Sequence, residues 1–261
     1  MATKDASGPG VFQNMVRHQY ASDNILQSYD VLKPQRQVSH SPKASWIVYI
    51  HGGYFRDPKV DSTSLKPAIS CIEEPQATSA SDLQSRISGY ASLNYRLAPH
   101  PAHPQDPNTT PSYTLNSAKW PDQPDDILAA LKAGEAGITL PRAVVGVSGI
   151  YDFPAIHKTN PDYEDMTSSG MDKKYYEEAS PALYTAEEYK EKWDKEKRVV
   201  VIAHSKDDGL VSWDQPEEMM TAFSGDGFAT ELVELKGQHN EIWEKGNELV
   251  RAIQKAVELV A

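Results

Sequence analysis

The chain has 261 residues, close to the length of about 250 that one α/β domain reaches, so a single compact unit over residues 1–261 is expected. Its 37 acidic and 26 basic residues leave a formal charge of -11, which argues against a nucleic-acid or anionic-membrane partner and favours a small neutral or cationic substrate. A single cysteine, Cys71, excludes an internal disulfide framework and any Cys-based zinc site, as a cytoplasmic, reducing setting would permit.

Residues 1–14 are polar and lack the apolar core of a signal peptide, and the first 19 residues are expected to be disordered. No run approaches the roughly 20 apolar residues of a membrane span. Residues 20–34 place Ile25, Leu26, Tyr29, Val31 and Leu32 at a spacing that predicts a first strand or hairpin arm, ended by Pro34. The all-apolar run Trp46-Ile47-Val48-Tyr49-Ile50 predicts a parallel strand covered on both faces, and it stops at His51-Gly52-Gly53. Residues 64–72 fit a helix with Pro67 in its first turn, 73–84 a polar surface loop, and 89–95 the next strand. The proline-rich stretch 98–124 reads as an irregular excursion. Residues 123–133 predict a helix, with Pro124 and two acids early and Ile127, Leu128 and Leu131 as its apolar positions. Further strands are predicted at 143–147, 198–203 and 230–235, a charged helix at 184–197 and a closing amphipathic helix at 241–260. This alternation gives an α/β fold, a mostly parallel sheet with helices on both faces.

The run His51-Gly52-Gly53-Tyr54-Phe55 follows an apolar strand, and its glycines let the backbone come close to a substrate. Free N–H groups there could meet the oxygen that becomes negative when a carbonyl is attacked, as in the oxyanion loops of lipases and esterases. A plain glycine turn is the alternative. Downstream, Asp208 follows the strand 198–203, and His239 follows the strand 230–235. Acid then histidine, each just past a strand's C-terminal end, is the chain order of the α/β-hydrolase triad. There a carboxylate fixes the imidazole tautomer and the imidazole takes the nucleophile's proton. Taken singly, Asp208 reads as well as a turn residue and His239 as a surface histidine. His204 lies near the acid, but without clustered cysteines or a second histidine at ligand spacing it reads as structural, and no metal site is expected.

The segments HGGYFRDP (51–58), SLNYRLAPHP (92–101), PDQPDDILAAL (121–131), VVGVSGIYDF (144–153), HSKDDGLV (204–211) and GQHNEIWEKG (237–246) together resemble fungal kynurenine formamidases, also called arylformamidases. The resemblance implies an α/β-hydrolase fold and hydrolysis of N-formyl-L-kynurenine to formate and L-kynurenine. That reaction belongs to tryptophan degradation toward NAD, and the resemblance implies no cofactor and a homodimer. It makes Asp208 the triad acid, His239 the base, and the N–H groups of Gly53 and Tyr54 the oxyanion hole. Phe55 stands where the family prefers tryptophan.

One unit of the family pattern is missing. Between Leu131 and Ala143 the family has a strand, a Gly-x-Ser-x-Gly elbow and a helix, about 30 residues or more, where this chain has only the short connection 132–142. Gly146-Val147-Ser148-Gly149-Ile150 comes nearest to an elbow, with Ile150 where glycine belongs and Pro154 soon after. The resemblance makes this run the strand after the elbow and Ser148 a strand-end residue, so the nucleophile is either absent or replaced by Ser148. Three functions remain open at this point: a formamidase, a binding protein that kept the pocket and lost the chemistry, and a general carboxylesterase.

Overall fold

The computed structural model describes residues 11–34, 36, 44–74, 80–133, 141–192, 198–223 and 228–260. Its elements in chain order are β1 (Val16–Gln19), β2 (Ser28–Leu32), β3 (Ser45–Ile50), α1 (Lys66–Glu73), α2 (Ala80–Ser85), β4 (Ile87–Leu93), α3 (Asp122–Ala133) and β5 (Ala143–Val147). They continue as α4 (Phe153–Thr159), α5 (Asp162–Ser168), α6 (Ala186–Lys192), β6 (Val199–Ser205), α7 (Asp214–Ala222), β7 (Ala229–Leu235), α8 (Glu241–Glu244) and α9 (Asn247–Leu259).

The strands form two sheets. One runs β1-β2-β4-β3, with β1 and β2 antiparallel and β3 parallel to β4; the other runs β5-β6-β7, all parallel. Among the described residues no strand bonds the free edge of β3 or that of β5. The consequence shows in burial. Every residue of β6 is buried, whereas Trp46 and Ile50 of β3 and Val144 of β5 are 41%, 43% and 43% exposed. The apolar runs 46–50 and 143–147 therefore form strands but not the fully covered ones their composition predicts, because each ends its sheet. Residues of β3 and of β5 line one cavity, the slot between the two sheets.

Helix α9 ties the halves together. Leu249, Ile253 and Val257 join Ile69, Ile72 and Ile47 on the first sheet's side, while Ala256 packs with Val199 and Val201 of β6. The excursion after β4 is anchored by a buried charge pair. Asp126 of α3 accepts from the Arg96 Nε and Nη2 at 2.9 Å each, from the Arg96 backbone at 2.9 Å and from Gln27 at 2.9 Å. Breaking such a pair leaves an uncompensated charge, which costs about 3–5 kcal/mol where burial is deep.

Several boundaries differ from those the sequence predicts. Residues 16–19, placed within a disordered start, pair with β2 as β1; residues 1–10 lie outside the described part. The polar tract 73–84 ends in α2, whose Leu83 is buried against the core. The charged helix 184–197 is described as α6, with 193–197 outside the described residues. The closing helix 241–260 is broken at Gly246, whose φ of 79° turns α8 into α9. A Cβ there would lie 2.5 Å from the backbone of Pro67 and Ala68, so only glycine lets α1 come this close. Helices α4, α5 and α7 had no periodic signal strong enough to predict them.

Candidate active site

β3 ends in a loop that holds three successive residues in the left-handed region: Gly53 at φ 91°, Tyr54 at 54° and Phe55 at 58°. The buried His51 pins its start. The His51 Nδ1–H donates to the Gly52 carbonyl at 2.8 Å, and the ring stacks on Tyr95 with centroids 4.3 Å apart. The Tyr95 hydroxyl lies 2.8 and 2.9 Å from the carbonyl oxygens of His51 and Gly52. Burial lowers the pKa of His51, so the imidazole is held neutral as a structural peg. The loop closes through bonds from the N–H groups of Arg56 and Asp57 to the Gly53 carbonyl, at 3.0 and 2.9 Å. The N–H groups of Gly53 and Tyr54 donate to no described residue. Tyr54 hydrogen-bonds Thr167 at 2.7 Å, and burial pushes its phenol up to about 12.

The acid and the histidine meet because β6 and β7 run parallel and end level, Ser205 opposite Leu235. Three residues past that line the Asp208 Oδ1 accepts from the backbone N–H groups of Leu210 and Val211, both at 2.9 Å. Four residues past it, after a turn made by Gly237 at φ 101°, the His239 Nδ1–H donates to the Asp208 Oδ2 at 2.8 Å. The carboxylate is wholly buried and the imidazole is 26% exposed. Burial alone would raise the pKa of Asp208, but the hydrogen bonds from His239, Val211 and Leu210 outweigh it and the net direction is down. Asp208 is therefore ionised and orients the ring. The other His239 nitrogen makes no hydrogen bond to a described residue, and His239 lines a cavity that Gly53 and Tyr54 also line.

His204 has a structural place. It is fully buried, its Nε2–H donates to the Val211 carbonyl at 2.9 Å, and burial holds it neutral. Among the described residues no group of three or more His, Cys, Asp or Glu could hold a metal ion, and no helix is long and apolar enough to cross a membrane.

The apolar cluster of Ile156, Tyr163 and Val211 with Tyr54, Ile150 and Met166 joins the loop after β3 to the acid loop. The Tyr163 hydroxyl donates to the Leu210 carbonyl at 2.7 Å, bracing the turn that carries Asp208. The cavity these elements line is about 2090 Å³, far above the roughly 300–1,000 Å³ of a small-molecule pocket, because it runs on into the slot between β3 and β5.

No family model matches the chain. It is 25% identical over 276 positions to a kynurenine formamidase-like hydrolase of Fusarium equiseti, covering 88% of this chain and 89% of that protein. To a kynurenine formamidase of Aspergillus versicolor it is 25% identical over 286 positions, covering 87% and 94%. Both alignments exceed the 261 residues of this chain, so both relatives carry residues with no counterpart here. Among solved structures it is similar to a truncated carbohydrate esterase from gut microbiota, with a TM-score of 0.56 and 13% identity over 97% of this chain and 100% of that one. A hormone-sensitive lipase from a metagenome library superposes with a TM-score of 0.56 at 15% identity, over 95% of this chain and 84% of the other. The fold is that of the α/β-hydrolases. The names of the two curated relatives support a hydrolase.

Ser148 makes no hydrogen bond to the pair of Asp208 and His239. It follows the last residue of β5 at φ 47°, its N–H donates to the Ala203 carbonyl at 2.9 Å, and its buried hydroxyl has no partner among the described residues. It lines the same cavity as His239 but makes no hydrogen bond to it. The flanking glycines have a packing reason, since a Cβ at Gly146 or Gly149 would run into the Tyr151 ring. Gly146-Val147-Ser148-Gly149 is thus shaped by Tyr151, and helix α4 starts only at Phe153. Sequence reasoning missed Tyr163, which sits in a stretch without any motif.

Proposed function

We propose that the chain hydrolyses a formyl amide, with N-formyl-L-kynurenine as substrate and formate and L-kynurenine as products. The observation that carries this is the contact of 2.8 Å between His239 and a buried, backbone-anchored Asp208, on the cavity lined by the unpaired loop amides. His239 removes a proton from a water, the oxygen adds to the formyl carbon, and the oxyanion is met by the N–H groups of Gly53 and Tyr54. The C–N bond then breaks as imidazolium returns the proton to the arylamine nitrogen. Asp208 stabilises the imidazolium throughout.

This reading gives water the attacking role, and the Ser148 hydroxyl makes no hydrogen bond to His239. Losing the serine of a protease triad costs on the order of 10⁶ in kcat, so turnover far below that of a serine-bearing formamidase is expected. Formate release from the authentic substrate tests the reading, and no release above background from folded protein would refute it. Ser148→Ala is expected to leave the rate within about twofold; a loss on the order of 100-fold would instead make Ser148 the nucleophile. Carboxylester hydrolysis is the second reading, favoured by the same loop and by the easier departure of a phenolate than of an arylamine. A higher kcat/KM on aryl acetates than on the formamide would select it.

A further inference from the structure

Three buried side-chain polar atoms with no hydrogen-bond partner among the described residues belong to residues lining the active-site cavity: the Arg56 Nε, the Trp120 Nε1 and the Ser148 Oγ. Buried polar groups are nearly always satisfied, so such a concentration marks groups that await a ligand. Two of the three, the guanidinium and indole N–H groups, can only donate.

Arg56 is 6% exposed. Its Nη1 donates to the Met166 carbonyl at 3.0 Å and to the Ser169 hydroxyl at 3.1 Å, and no carboxylate of the described residues pairs with it. Trp120 is held against the same turn, its backbone N–H donating to the Gly170 carbonyl at 2.7 Å. A buried guanidinium stabilised only by neutral acceptors carries uncompensated positive charge, and a planar anion is the group that fits its fork.

We propose that Arg56 and Trp120 form a carboxylate subsite, with the Arg56 guanidinium and the Trp120 indole N–H holding the carboxylate of an amino-acid-like substrate while the formyl group lies at the Gly53–Tyr54 amides. The assignment rests on the formamidase reading for the identity of the reacting group, but not for the existence of the subsite.

The test is binding, so that it does not depend on turnover. Calorimetric titration of the wild-type protein with L-kynurenine and with L-kynurenine carboxamide is expected to show at least about tenfold tighter binding of the free acid, the contribution of a charge-assisted hydrogen bond. Arg56→Gln is expected to reduce that preference to within about twofold, and Trp120→Phe, which removes only the indole donor, to reduce it part of the way. Because Arg56 also braces the turn at Met166, the Trp120 variant and the wild-type ligand pair carry the test if Arg56→Gln does not fold. Equal affinities for acid and amide, binding of neither, or a preference that survives in folded Arg56→Gln would each overturn the subsite. A preference for the acid without formate release would sustain the subsite and refute the formamidase reading, whereas formate release without the preference would do the reverse.

Discussion

Tyr54 and Phe55 hold the left-handed conformation at φ 54° and 58°, which costs a side-chain-bearing residue roughly 1–2 kcal/mol each. The surroundings that enforce it are visible: Tyr54 is locked to Thr167, and the Phe55 carbonyl accepts from the Ala98 N–H at 2.9 Å. With this loop conformation the N–H groups of Gly53 and Tyr54 donate to no described residue, which is what an oxyanion hole requires. At Gly53, φ is 91° and a Cβ would sit 3.2 Å from the Cβ atoms of Asp57 and Val60. Gly53→Ala is accordingly expected to cost about 1–2 kcal/mol in urea unfolding and to lower kcat more than KM rises. Asp208→Asn keeps the shape of the turn but loses the carboxylate that selects the His239 tautomer. It should lower turnover by about 10³–10⁴ while circular dichroism stays unchanged. The motif residues were legible because glycines after an apolar run have few other uses. Arg56 was not, since nothing in a sequence says that a guanidinium lacks a counterion.

Among the elements, β3, β5, β6 and β7 were read with near-correct limits, helped in β5 and β6 by dense runs of β-branched residues, whereas β1 fell within the stretch expected to be disordered and was missed. Their exposure was not legible. An apolar run states that a strand can be covered, and its neighbours decide whether it is. The break between α8 and α9 was missed for a related reason: apolar residues continue on both sides of Gly246, and only the approach of α1 shows that the chain must turn there. Gly246→Ala adds a Cβ 2.5 Å from the backbone of α1 and a left-handed strain. A loss of about 3 kcal/mol is expected, read as a lower denaturant midpoint at unchanged m-value.

For the whole molecule, the decisive feature is the slot between β3 and β5. Exposed Trp46, Ile50 and Val144, on edges that no strand among the described residues pairs, are an aggregation hazard and a loss of burial. Insertion between Leu131 and Ala143 of a strand, Gly-x-Ser-x-Gly turn and helix of about 30 residues is expected to raise the Tm, suppress binding of an apolar dye and raise formate release by orders of magnitude. A chimaera that stays dye-binding and no faster would mean the slot cannot take a strand. Acid stability should decline in two stages. Burial lowers the pKa values of His51 and His204 from the ordinary 6.5, so the unfolded chain binds protons first and stability falls as pH drops below about that value. Asp208 has a lowered pKa too, so its contribution is intact above the ordinary 3.8 and is lost only as pH falls through the folded value. A Tm that is flat between about pH 7 and 5 would contradict the first stage.

The order of strands, the glycine loop, the acid and the histidine were all set by local pattern, because periodicity, glycine and chain order act over a few residues at a time. The pairing of Asp208 with His239, the isolation of Ser148, the unneutralised Arg56 and the open slot depend on which distant segments lie side by side. That is a matter of packing and of edges left unpaired, and only the folded chain decides it.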